Sequence, residues 1–386
     1  MSTRTTPPEV TPHGDLHHSR LDDVPGVVAS HVRPTGNRPA LLMAGGALVL
    51  ALVLRFALDL HIAAALLLSF LVYLAALYAV YRSTGGQRVA VDQLVRALVY
   101  FAFVCALVPL VSLLWTVVAQ GAGRAFDPTF LNQTMNGVTG LNDQQYASGE
   151  AAFVGGAYHA IMGTLIITGM ATLISVPIGL FTAIYLVEYG GANRLSRWIR
   201  FFVDVMTGIP SIVAGLFAFA LFVQIFGPRD AKMGIAGAVA LSVLMIPTVV
   251  RNSEEMLRIV PNELREAALA LGVPKWRTIA KVVLPTAASG LASGITLAIA
   301  RVIGETAPLL VAIGYARGLN WNPVEGPMNT LAVYAYFMFT KPLSPGVREP
   351  SLERAWAAAL LLVLIVVALN LTARLIARIF APKTGR

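Results

Sequence analysis

Uncharged apolar stretches of about 20 residues, the length that crosses a bilayer as a helix, recur along this 386-residue chain. Few folds can absorb them. Lipid offers no partners to backbone N–H and C=O groups, so a spanning segment must satisfy them internally, as a helix or in a closed barrel. Barrel strands run to about 10 residues and alternate in polarity; these stretches do neither. Eight spans are expected, at 39–58, 62–80, 97–118, 158–186, 201–226, 234–250, 286–313 and 355–379. The fold class is therefore all-α and polytopic. Composition agrees, since 13% of residues are charged and 56% are hydrophobic, against about a quarter charged in soluble domains. The first 38 residues are rich in Pro, Thr, His and charge and lack the apolar core of a signal peptide. They read as a disordered cytoplasmic tail.

The formal net charge of +9 has a topological meaning before any other. With the N-terminus placed in the cytoplasm, 20 of the 29 basic residues fall in inside segments, 7 fall outside, and Arg55 and Arg301 lie in spans. Basic loops stay inside, so both termini are expected in the cytoplasm and no nucleic-acid partner is implied. Two outside segments, near 119–157 and 315–354, are long and rich in Asn, Gly, Pro and aromatic residues. They suit either docking of an outside partner or capping of the bundle. The single cysteine, Cys105, can form no intrachain disulfide.

Between spans six and seven the segment 251–285 reads as two short amphipathic helices. Pro261 suits a first turn. Leu264, Ala267, Ala268 and Leu271 recur at a spacing of three and four and form one apolar stripe. Gly272 stands where a left-handed C-terminal cap favours glycine, Pro274 opens the second helix, and Pro285 marks entry to span seven. Glu266 is placed to meet a cation on a partner. Such an elbow suits a partner's cleft or the headgroup layer, and the residues alone leave both open. No GxxxxGK[ST] phosphate loop occurs in the chain. The glycines of Ser289–Thr296, Gly290 and Gly294, read as close helix packing.

Span seven carries Arg301 and Glu305, four residues apart and expected on one helix face. Charge at that depth is costly and normally faces a bundle interior or an aqueous path. A guanidinium fork suits the oxygens of an anion, and Glu305 would hold it in place. The bland alternative is a structural ion pair. Elsewhere, Arg55 can snorkel or pair with Asp59, Asp204 can pair with Arg200, and Pro177, Pro210 and Pro247 should break their spans.

Glu266-Ala267-Ala268, Gly272, and Val282-x-Leu284-Pro285 resemble the EAA loop of ABC-importer permeases, EAA-x3-G-x9-I-x-L-P, with Val282 for the isoleucine. Arg301-x-x-Gly304-Glu305-Thr306-Ala307-Pro308-Leu309 resembles the signature of the PstA-type phosphate permease family, and Gly155–Gly190 and Thr207–Phe217 agree with it. The resemblance implies a six-helix permease core over 97–386 with its coupling loop at 257–285, preceded by an extra transmembrane hairpin at 39–81. It implies no catalytic residue, metal or cofactor in this chain. Glu266, Ala267, Ala268 and Gly272 would couple to a cytoplasmic ATPase, and Arg301 and Glu305 would line the substrate path. Implied partners are a PstC-like permease forming a heterodimer, two ATPase subunits, an extracytoplasmic phosphate-binding protein, inorganic phosphate and membrane lipid. The rival readings are an ABC permease for another oxyanion or solute, a stand-alone secondary transporter or channel, and a membrane-embedded enzyme.

Overall fold

The computed structural model describes residues 38–191 and 193–380. The tail ahead of Arg38, with its expected disorder, lies outside them. The described residues are helical, with no strand among them. Six helices are long and apolar enough to cross a membrane, and a bent pair makes a seventh. The chain divides at Leu110 into two compact units.

The first unit holds α1 (Arg38–Ala57) and most of α2 (Ile62–Ala125). At ~1.5 Å per residue, 64 residues of helix would run to about 96 Å, three times the hydrocarbon thickness. Gly86 resolves the conflict. Its φ of 82° and ψ of 178° are non-helical and break α2 into two arms. Phe70 and Phe101, nearly equidistant from Gly86, stack with ring centroids 3.9 Å apart, so the arms fold back as a hairpin. Each arm is by itself long enough to cross a bilayer. Leu77, Tyr81, Ala90 and Ala97 form the small core of this unit. The expected Arg55–Asp59 pair is present at 2.6 Å.

The second unit contains the short helices α3 (Pro128–Asn132) and α4 (Gly140–Ala147), then α5 (Tyr158–Ile184), which runs on into a π-helical turn, Tyr185–Tyr189. There follow α6 (Arg194–Thr207), α7 (Ser211–Phe226), α8 (Gly234–Ile259), α9 (Asn262–Ala270) and α10 (Lys275–Thr278). A second π turn, Ile279–Val283, leads into α11 (Leu284–Ile303), and α12 (Ala307–Ala312), α13 (Leu331–Thr340) and α14 (Glu349–Phe380) complete the chain. The centre is α8. Its small residues Ala236, Ala238 and Ala240 and its Leu241, Met245 and Val249 share one core with Ile167 and Ala171 of α5 and Ala298 and Val302 of α11. Where α11 crosses α8, a Cβ on Gly290 would lie 2.5 Å from the Met256 sulfur and one on Gly294 2.8 Å from Asn252 Cβ. The close-packing reading of these glycines holds.

Four expectations need correction. The expected span 201–226 is two helices, α6 and α7, meeting at 107°. Gly208 and Pro210 end one and start the other, and α6 is amphipathic, with Trp198, Phe201 and Phe202 exposed along one side. Asp204 bonds Arg251 across to α8, whereas Arg200 bonds Glu254 at 3.2 Å; the i,i+4 rule lost to partners on a packed neighbour. Pro285 falls in the first turn of α11, as expected, but Pro177 and Pro247 do not break their spans, since α5 and α8 each continue as one helix past them. Finally, Arg354 lies within α14 rather than in a loop, and it is 1% exposed.

The two long segments cap one end of this unit. Met135 N–H donates to the Arg317 carbonyl, and Gln144 bonds Ser344. Phe130, Met135 and Val138 share a core with Leu331, Tyr334 and Met338 of α13. At the centre of the cap Arg354 grips Asp143 through two bonds of 2.7 and 3.1 Å, with Ser351 also donating to the carboxylate. Both charged side chains are almost wholly buried.

Candidate functional site

Two features of the second unit bear on function, the break after α11 and the elbow formed by α9 and α10. Helix α11 stops at Ile303, with Gly304 as its cap, and α12 begins only at Ala307. Arg301 therefore sits in the last turn of one helix, where a cation is favoured by the helix dipole, and Glu305 lies in the break beyond it. The two do not share a helical face, and no ion pair within 4 Å joins them. Arg301 instead bonds Thr248 Oγ1 of α8 at 3.4 Å and is exposed, while Glu305 is half-buried. Pro308 allows α12 to start at the break, since its missing N–H costs nothing in a first turn.

The break is held against α7. A Cβ on Gly215 would stand 2.5 Å from the Pro308 carbonyl oxygen, so only glycine lets the two backbones approach. The Thr207–Phe217 and Arg301–Leu309 segments, singled out separately in the sequence, are thus brought together.

In the elbow, Gly272 takes φ +73°. Its N–H donates to the Leu269 carbonyl and the Val273 N–H to that of Ala268, the left-handed cap expected there. Of the expected stripe only Ala268 is buried. Leu264 is 41% exposed and Leu271 84%, and Glu266 and Ala267 are also exposed. Leu269 and Trp276 add to an apolar face that this chain leaves uncovered.

The elbow's anchor escaped the sequence reading. Arg265 donates to Glu188 Oε1 at 2.8 and 3.0 Å and to the Leu257 and Val260 carbonyls. Glu188 lies in the π turn after α5 and its side chain is 6% exposed. The two are 77 residues apart, and the one available signal was a lone glutamate ending an apolar span. Charge-assisted bonds of this kind contribute about 1.5–3 kcal/mol each. Arg265→Gln is expected to raise amide exchange over residues 257–272 about ten- to a hundredfold, with exchange in α8 upstream of residue 250 unchanged. Unaltered exchange in the elbow would show that packing alone positions it.

Among the described residues no cluster of His, Cys, Asp and Glu is arranged to hold a metal ion. A helical bundle, broken spans in its middle and an uncovered elbow at one end define a class: a polytopic membrane permease built to work with a further subunit. A family model described as "Binding-protein-dependent transport system inner membrane component" matches residues 175–386. The chain is 46% identical over 277 residues to "Phosphate transport system permease protein PstA 1" of Mycobacterium tuberculosis (strain CDC 1551 / Oshkosh), covering 72% of this chain and 85% of that one. It is 43% identical to the PstA protein of Mycobacterium leprae over 272 residues, covering 70% and 84%, and 42% identical to that of Yersinia pestis over 229 residues, covering 59% and 74%. The chain belongs to the binding-protein-dependent transport system inner membrane component family.

Proposed function

We propose that this chain is the PstA-type permease subunit of an ATP-driven importer that brings inorganic phosphate into a bacterial cytoplasm. The observation that carries the reading is its relation to the PstA permeases over most of their length. The chain sits in the cell membrane with both termini cytoplasmic, as the basic-residue bias indicates. It pairs with a PstC-like permease and takes phosphate from an extracytoplasmic binding protein. Two separate ATPase subunits hydrolyse ATP; this chain does no chemistry. The exposed face of Leu264, Ala267, Leu269 and Leu271 seats in an ATPase cleft, with Glu266 meeting a cation there. Closure of the ATPases on ATP moves the elbows, the two permeases rock, and the path opens outward. Hydrolysis resets them. Arg301 meets the passing anion through its guanidinium, and Glu305, in the break beyond it, keeps that binding weak enough for release.

The reading is tested by co-reconstituting the chain with the three partners in proteoliposomes. ATP-driven uptake of radiolabelled phosphate is expected, undiminished by excess sulfate; competition by sulfate would point to a broader oxyanion permease, and uptake without ATPase subunits to a stand-alone transporter. Gly272→Val forces a β-branched residue into a left-handed conformation, and Glu266→Lys reverses the docking charge. Both variants are expected to assemble yet lose stimulation of ATP hydrolysis by loaded binding protein. Wild-type stimulation in both would sink the coupling role.

A further inference from the structure

We propose that the hairpin of α1 and the two arms of α2 holds one anionic glycerophospholipid, with an acyl chain in the cleft between the helices and its phosphate at Arg96. A cavity of about 740 Å³ lies there, wholly within the first unit. Gln93 and Arg96 line one end, and Val108 and Pro109 the other. At ~1.5 Å per residue the cleft runs about 24 Å, most of the ~30 Å hydrocarbon thickness. Ala44 and Ala97 leave the trough open, and Leu48, Phe70 and Phe101 wall it.

The medium around this hairpin is hydrocarbon. Leu42, Leu67 and Val72 are each more than half exposed on its outer surface, the kind of surface a lipid-facing segment presents.

The polar end selects the headgroup. Arg82, Arg88 and Arg96 surround the fold of the hairpin, with Asp92 the one acid there. Arg96 spends a single bond on Asp92, at 3.3 Å, and is 44% exposed. A guanidinium has five donors, so most remain free, and its fork matches a phosphate. Gln93 supplies a second, independent sign. It is 8% exposed, lines the cavity and makes no hydrogen bond among the described residues. Its amide stays open to the cavity, where a glycerol ester or phosphate oxygen would satisfy it. Together the trough, the free guanidinium and the unpaired amide match one phospholipid.

The test uses the full-length chain in nanodiscs of equimolar phosphatidylglycerol and phosphatidylcholine, released gently for native mass spectrometry. One lipid is expected to stay bound per chain, with phosphatidylglycerol favoured about tenfold, equivalent to ~1.4 kcal/mol. Arg96→Gln should bring the two lipids to parity, and Arg96→Lys should keep part of the preference. Ala44→Phe fills the trough and should cost retention of either lipid. Parity in the wild type overturns the proposal, as does a preference that survives Arg96→Gln. Lipid retention untouched by Ala44→Phe overturns the cleft and leaves only surface charge. Should Ala44→Phe lower helicity by circular dichroism, the exposed Arg96 variants decide the matter by themselves.

Discussion

Phosphate uptake by the reconstituted importer is expected to fall about ten- to a hundredfold in Arg301→Gln, with the yield of assembled complex unchanged. The magnitude is that of one charge-assisted hydrogen bond, ~1.5–3 kcal/mol. Glutamine keeps length and hydrogen-bonding capacity and loses only the cation. Arg301 bonds Thr248 and not Glu305, but the half-buried Glu305 carboxylate still feels its charge, so assembly must be measured beside uptake. Arg301→Lys is expected to fall between, since lysine keeps the charge and loses the planar fork. The double variant Arg301→Gln with Glu305→Gln is the sharper control. Under the transport reading it assembles and carries no phosphate; near-normal uptake would retire the idea that Arg301 meets the anion.

Asp143→Ala is expected to destabilise the capped end of the second unit by about 3–5 kcal/mol, the cost of stranding a buried charge. Arg354 would be left 1% exposed with only the Val154 carbonyl as acceptor and the Phe153 ring beneath it. Thermal unfolding in detergent should fall accordingly, and amide exchange should rise across 128–156 and 315–348. The double variant Asp143→Ala with Arg354→Met removes both charges and should recover most of the loss. A change below ~1 kcal/mol in the single variant would mean that water reaches Arg354 and the pair is not a staple.

The spans, the elbow and its glycine were legible because each is a local property. A run of apolar residues long enough to cross a bilayer declares itself without any partner, as at Gly234–Ile259. Gly272 declares itself because no other residue takes a positive φ as freely between two short helices. Charge partners were legible only where they were local. Arg55 and Asp59 met as expected, whereas Asp204 chose Arg251, 47 residues away. Nothing along the chain ranks a distant partner above one a turn away.

By itself, then, the sequence determined that this chain is a helical membrane protein, where most of its long apolar helices lie, and that an elbow stands between two of them. These follow from hydropathy, length and backbone preference, all read within about one helix. Only the tertiary structure decided that 62–125 folds back at Gly86, that 201–226 bends through 107°, and that α11 ends before Glu305. It alone joined Asp143 to Arg354 and Arg265 to Glu188. The reason is physical. A helix breaks where packing on its neighbours outweighs one or two lost hydrogen bonds, and a buried charge takes whichever opposite charge the packed bundle brings within reach.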